Sequence, residues 1–210
     1  MAIDEQPFAE IEHALKRAAA ALNEAGIPFL LGGSLASWAR GGPETRHDLD
    51  LMIKPEDVER ALEVLGEAGM RPERPPENWL VKAWDGDTLV DLIYCPKGLP
   101  MDDDVIARGE EMSVLSMQMR VMAIEDVLIT KLMAIDEHHI RFESLLPIAR
   151  ALREQIDWAA VQARTGSSPF ARAFFVLLEG LEILPEAPPH RSGTTVRVVT
   201  PQGSHATQGG

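Results

Sequence analysis

Residues 32–53 read GGSLASWARGGPETRHDLDLMI, and this stretch decides the fold. The apolar run 27–31 before it predicts a short strand that stops abruptly at Gly32-Gly33-Ser34, after which 35–39 resumes a compact helical pattern up to Gly41-Gly42-Pro43. Residues 48–53, DLDLMI, alternate at first and predict a second strand. Successive side chains of a strand point to opposite faces, so Asp48 and Asp50 project from one face, ~7 Å apart along the backbone. Like charges that close are costly without a counter-ion, and Leu49 and Leu51 solvate neither. A divalent cation relieves the repulsion. Hard oxygen donors suit Mg²⁺ or Mn²⁺, which complete their shells with water and substrate phosphates. The bland alternative is a strand that begins with two solvated acids.

Working outward, Pro55 opens a helix whose Val58, Ala61, Leu62 and Leu65 share a face, with Gly69 near its stop. Residues 79–84 and 89–94 are two apolar runs joined through Asp85-Gly86-Asp87, the pattern of a hairpin. Asp91 interrupts the second run, and a buried unpaired carboxylate there is expensive. If the hairpin lies beside DLDLMI, Asp91 completes a three-carboxylate face able to hold two metals ~3.5–4 Å apart, as phosphoryl and nucleotidyl transfer require. A solvent-facing position on a half-wet sheet is its alternative. The glycine turn complements the acids, because it lets backbone N–H groups at a helix start approach phosphate closely. It is neither a Walker A loop nor GxGxxG. Arg40 and Arg46 flank the stretch and are candidates for phosphate or a nucleic-acid backbone, with ordinary surface arginine as the other reading.

Upstream, residues 6–25 carry Phe8, Ile11, Leu15, Ala18 and Leu22 at helical spacing, and Gly26 stands where a cap belongs. Downstream, 96–104 lacks periodicity, and its acidic run 102–104 reads as a solvated loop. Residues 112–122 alternate as one or two strands, and helices are expected over 126–137, 145–153, 158–164 and 170–181. His138 and His139 adjoin Glu137, but without HExxH or a third ligand they read as surface or structural histidines. The expected architecture is α/β (α+β), a mixed sheet with flanking helices: a catalytic core over 1–123, a helical segment over 124–184, and a mobile tail over 185–210 in which 194–200 can pair as an edge strand.

At 210 residues, 45% of them hydrophobic, the chain can bury a core without a staple. Its single cysteine, Cys95, excludes a disulfide framework and CxxC zinc sites and fits a reducing compartment. An acidic N-terminus without an apolar core, and no apolar run near the ~20 residues that span a bilayer, predict a soluble cytoplasmic protein with no membrane partner. The formal charge of −13 is concentrated in residues 1–111, which carry 11 Lys/Arg against 23 Asp/Glu. Such a body repels nucleic-acid phosphate unless its basic residues gather locally.

Strand, Gly-Gly-Ser, short helix, a strand with Asp-x-Asp and a later strand with a lone Asp together resemble the nucleotidyltransferase superfamily typified by DNA polymerase beta. Residues 27–95 carry the motif, and the helix bearing Lys131-Leu132-Met133-Ala134 is similar to the second half of the superfamily's minimal members. Among these, the chain looks most like the small bacterial nucleotidyltransferases, which include aminoglycoside adenylyltransferases and AbiEii-type toxins that add nucleotides to transfer RNA. The resemblance implies that Gly32, Gly33 and Ser34 hold nucleotide phosphates, Asp48 and Asp50 bind metal, and Asp91 binds metal or acts as general base. It also implies that Lys131 contacts the triphosphate of an NTP such as ATP. Relatives often carry a further Asp after the lysine helix, where this chain reads HHIRFE over 138–143.

The acceptor is the least determined feature. Residues 140–178 hold Arg141, Arg150, Arg153, Arg164 and Arg172 against three acids, which favours transfer RNA if those arginines share a surface, and a toxin of that kind implies an antitoxin protein. An aminoglycoside would instead exploit the acidic body, and transfer RNA is placed narrowly ahead. A catalytically silent nucleotide-binding partner is the rival of another class.

Overall fold

A computed structural model describes residues 8–43 and 49–184. In chain order the elements are α1 (Phe8–Glu24), β1 (Phe29–Leu31), α2 (Gly33–Ala39), β2 (Leu49–Ile53), a 3-10 turn (Pro55–Asp57) running into α3 (Val58–Glu67), then β3 (Arg71–Glu73), β4 (Leu80–Asp85) and β5 (Thr88–Ile93). After these come α4 (Asp103–Arg108), β6 (Glu110–Val114), β7 (Met117–Val121), α5 (Ile124–Ala134), α6 (Leu145–Leu152), α7 (Trp158–Thr165) and α8 (Pro169–Gly180).

Helix α1 forms because Ile11, Leu15, Ala18 and Leu22 recur at three- and four-residue spacing, and all four are buried. It ends where Gly26 turns to φ +69, a left-handed conformation that costs a side-chain-bearing residue about 1–2 kcal/mol. There the Gly26 N–H donates to Asn23 O at 3.0 Å and the Ile27 N–H to Leu22 O at 2.9 Å. The chain then enters β1.

The seven strands form one mixed sheet in the order β3-β4-β5-β2-β1-β7-β6. β1 is antiparallel to β2 and parallel to β7, and β2 is parallel to β5. Two antiparallel hairpin wings, β3-β4-β5 and β6-β7, flank the centre. β5 shows the two faces of its wing: Thr88, Val90 and Leu92 are buried, whereas Leu89, Asp91 and Ile93 are half-buried. Helix α1 packs on β5, and α3 on β3 and β4. One apolar cluster runs from Ile11 in α1 to Ile183 after α8, so α5–α8 share the core of the sheet.

The α/β architecture expected from the pattern is the one observed, with differences at its margins. Helix α5 stops at Ala134 rather than 137, because Ile135 is extended, at ψ 132. The acidic run 102–104 starts a helix: the Asp102 carboxylate accepts from the Val105 N–H at 2.9 Å, and Asp103 and Asp104 occupy the first turn, where the helix dipole favours negative charge. β3 escapes the sequence pattern because it is three residues long and contains Pro72, which an edge strand tolerates. Residues 185–210, including the edge strand anticipated over 194–200, lie outside the described residues.

Candidate active site

The parallel register of β2 and β5 sets Asp50 opposite Asp91. Neighbouring strands lie ~4.8 Å apart, so the two carboxylates stand side by side on the half-open face. Asp91 thus stands beside the strand of the Asp-x-Asp pair, as the hairpin reading anticipated. Asp48 and Arg46 lie outside the described residues.

The glycine turn closes over this strand. The Gly32 N–H donates to Asp50 O at 2.9 Å, which ties the end of β1 to β2. Gly33 begins α2 at φ +56, and a Cβ built there would overlap the Asp50 carboxylate at Oδ2. Glycine is therefore required twice at this position, for its backbone angle and for the side chain it faces. A Cβ on Gly32 would stand 2.8 Å from Met52 Cγ and Sδ, so the turn is fitted to β2 at both Asp50 and Met52. Ser34 follows in the first turn of α2, half-buried.

Helix α5, which carries Lys131, packs against α2. Behind β5, the chain passes Gly98 against Ile129 and Met133 of the same helix. Lys131 is half-buried, and its side chain makes no hydrogen bond or ion pair with the described residues. Near the N-terminus of α5, Asp126 is 1% exposed and accepts from Arg164 Nη1 at 2.6 Å and from Arg108 Nε at 3.2 Å. This cluster is structural.

Arg40 is not available to a ligand. Its side chain is 6% exposed and pairs with Glu110 at 3.1 Å, while its Nε and Nη2 donate to Met122 O and Val121 O at 3.1 and 3.3 Å. It fastens the end of α2 to β6 and to the end of β7, where terminal carbonyls need donors. His138 and His139 form a carboxylate-capped turn: their N–H groups donate to Asp136 Oδ1 at 3.0 and 2.9 Å. Those bonds, led by the His138 N–H, hold the Asp136 carboxyl below its ordinary pKa.

The residue that the pattern reading missed is Lys82. Its Nζ lies 3.1 Å from Asp91 Oδ1, directly across the β4–β5 ladder. The signal was present in the sequence. The two-residue turn Gly86-Asp87 pairs Asp85 with Thr88, and counting back along both strands brings Lys82 opposite Asp91. What remains after Asp126, Arg40 and Asp136 are set aside is a pair of carboxylates beside a glycine turn on an open sheet face. Such donors are hard oxygens with the chemistry to hold a divalent cation, and Asp48 stands two residues before Asp50 in the sequence.

The fold is the one expected of the nucleotidyltransferase class, and the carboxylate pair beside the glycine turn is in keeping with it. The sequence model of a family described as an uncharacterised nucleotidyltransferase matches residues 9–183, and the chain belongs to that family. Among curated proteins none matches the chain. The solution structure of the antibiotic-resistance factor ANT(2'')-Ia is similar at TM-score 0.58 and 17% identity, covering 83% of this chain and 97% of that one. The crystal structure of ANT(2'')-Ia in complex with adenylyl-2''-tobramycin gives TM-score 0.56 and 18% identity, over 78% and 98% of the two chains. At these identities the likeness is one of fold, and it agrees with the polymerase-beta-like superfamily that the motif resembles. Among the described residues, no helix is long and apolar enough to cross a membrane.

Proposed function

We propose that this protein transfers a nucleoside monophosphate from an NTP, with ATP the first donor to test, to a hydroxyl of a small acceptor. Pyrophosphate leaves, and Mg²⁺ or Mn²⁺ is the cofactor. The observation that carries the reading is the Asp50–Asp91 register beneath Gly33. Asp48, Asp50 and Asp91 are the residues that would hold the cation, whose chemistry is to neutralise triphosphate charge and polarise the α-phosphate.

The chain's own groups do the rest. Gly32, Gly33 and Ser34 bind the phosphates through backbone and hydroxyl donors, and Arg46 and Lys131 supply positive charge to the triphosphate. Asp91, on the half-open face, orients the acceptor hydroxyl and takes its proton as the oxygen bonds to the α-phosphorus. The bond from that phosphorus to the bridging oxygen breaks, and pyrophosphate carries away the electron pair. In this reading residues 1–123 supply the reacting groups other than Lys131, and 124–184 back them with the lysine helix.

Surface charge supports a small acceptor. A net −13 concentrates a polycation such as an aminoglycoside. The arginines that would favour RNA are largely engaged: Arg164 with Asp126 at 2.6 Å, Arg172 with Gly166 O at 2.7 Å and Arg153 with Glu154 at 2.9 Å. A transfer-RNA acceptor, with toxin activity and an antitoxin partner, is the second reading. Arg141 and Arg150 favour it, being exposed and without side-chain hydrogen bonds or ion pairs among the described residues.

The test is incubation with each labelled NTP and Mg²⁺, against an aminoglycoside panel and against total transfer RNA at low salt. Label on a small molecule is expected, with turnover falling at least ~10²-fold in Asp48→Ala and Asp50→Ala. Label on RNA alone would reverse the ranking of acceptors. Pyrophosphate release unchanged in both variants would remove the metal site.

A further inference from the structure

The open face of the β3-β4-β5 wing carries an indole one ladder step from the carboxylates. Side chains of β4 alternate between the two faces. Val81 and Ala83 are buried on the side of α3, and Asp85 beside them meets Arg17 of α1, so Trp84 points the other way. Trp84 is in register with Leu89 of β5 on one side and with Arg71 of β3 on the other, and both Trp84 and Leu89 are half-buried. Leu89 stands two residues before Asp91, about 7 Å along the strand, a separation that one sugar ring bridges.

The ring is already fixed. Its Nε1 donates to Glu73 Oε2 at 2.8 Å, and the Arg71 guanidinium lies 5.3 Å from its centroid. The Arg71 side chain is 66% exposed and its pairing with Glu73, at 3.6 Å, is a surface one, so the indole receives a cation that can be exchanged for another at little cost. A ring held this way loses little freedom when a ligand stacks on it. Position supplies the direction of approach. The glycine turn lies against β2, whereas β4 lies beyond β5, on the opposite flank of the Asp50–Asp91 pair. With the donor's phosphates at the turn, an acceptor reaches Asp91 from the side of the indole.

We infer that Trp84, flanked by Leu89, is an acceptor-recognition residue: the indole stacks on the apolar face of an aminated sugar ring, whose ammonium replaces Arg71 over it, and turns a hydroxyl of that sugar towards Asp91. This rests on the transfer reaction proposed above and narrows its acceptor to an amino sugar. A net charge of −13 attracts any polycation, but only one that carries a ring gains from the indole.

Calorimetric titration of the full chain without NTP separates the two contributions, with tobramycin as the ring-bearing probe and spermine as a flexible polycation. Tobramycin affinity is expected to fall about tenfold in Trp84→Leu and no more than about threefold in Trp84→Phe, which keeps a ring, while spermine affinity stays within about twofold in both. In transfer assays the loss falls on the tobramycin KM rather than on kcat. Unchanged tobramycin affinity in Trp84→Leu, equal weakening of both probes, or no tobramycin binding by the wild type would each overturn the inference. Weakened binding of total transfer RNA in Trp84→Leu, at unchanged tobramycin affinity, would overturn it too and assign the indole to a nucleobase. Trp84-dependent tobramycin binding by a protein that transfers no label from any NTP would sink the nucleotidyl-transfer reading and leave the indole subsite standing. Label transferred to tobramycin at the same KM in wild type and Trp84→Leu would do the reverse.

Discussion

Asp126 and Asp91 each meet basic side chains, and they do so in opposite ways. Asp126 is 1% exposed and shared between two arginines, Arg108 and Arg164, whose planar forks fit a carboxylate geometrically. Asp91 stands on a half-open sheet face, with the ammonium of Lys82, a flexible point charge, 3.1 Å from its Oδ1. The first arrangement spends an acid on joining helices: α4 ends in Arg108 and α7 carries Arg164, and both are drawn to α5. The second keeps an acid oriented while leaving it reachable from solvent. Geometry of engagement, more than burial alone, separates a carboxylate that holds the fold from the one proposed to do chemistry.

The largest expected effect breaks the first member of the comparison. Replacing both Arg108 and Arg164 by alanine strands a buried carboxylate and should cost about 3–5 kcal/mol in urea unfolding. Asp126→Asn should cost less, about 1–2 kcal/mol, since the arginines, 43% and 37% exposed, can turn to water. A costlier Asp126→Asn would mean that joining the arginines, not sheltering the acid, is what stabilises the cluster.

Asp91→Asn addresses the other member. Turnover should fall ~10²-fold, equivalent to about 2.7 kcal/mol of barrier, with NTP affinity better preserved and unfolding shifted by no more than about 0.5 kcal/mol. A stability loss matching that of Asp126→Asn would move Asp91 into the structural category.

The smallest effect sharpens the boundary of the site. Gly33→Ala and Gly41→Ala both place a side chain at positive φ, +56 and +91, so each should lose about 1–2 kcal/mol. Only at Gly33 would the new methyl meet Asp50; at Gly41 nothing lies within 4 Å. Mn²⁺ affinity should therefore drop in Gly33→Ala alone, and equal affinity in the two variants would detach the glycine turn from the carboxylates.

Much of this was legible from residues alone where local chemistry and global fold agree. The apolar spacing of α1, the Gly32-Gly33 stop after β1 and the turn at Gly86-Asp87 each carry their own cause, and each stands where the pattern placed it. The β6–β7 hairpin was harder to delimit. Its turn residues Leu115 and Ser116 adopt φ 50 and 66 without the Gly or Asn that usually announces such a turn, so the strand boundaries are set by the ladder rather than by the turn. Helix α4 hid behind three aspartates that read as loop and act as a cap with its first turn. Arg40 looked like a ligand residue because it stands between the Gly-Gly-Ser turn and the Asp-x-Asp stretch; its partners, Glu110 and the end of β7, are distant in sequence and close only in the folded sheet. Lys82 required register, and register was the one quantity the hairpin supplied that the pattern reading left unused.

The parallel neighbours β2 and β5 also dictate when the site can exist. Asp50 and Asp91 meet only after α3, β3 and β4 have been laid down between them, since a parallel pair needs a complete crossover before its first ladder bond. On a growing chain, Asp50 and the glycine turn leave the ribosome early and wait, an acidic edge without its partner strand, until Ile93 has emerged. Metal or nucleotide bound across both strands can reward only the finished sheet. Such a ligand would then slow unfolding more than it hastens folding, and its presence during refolding would protect the product without guiding the path.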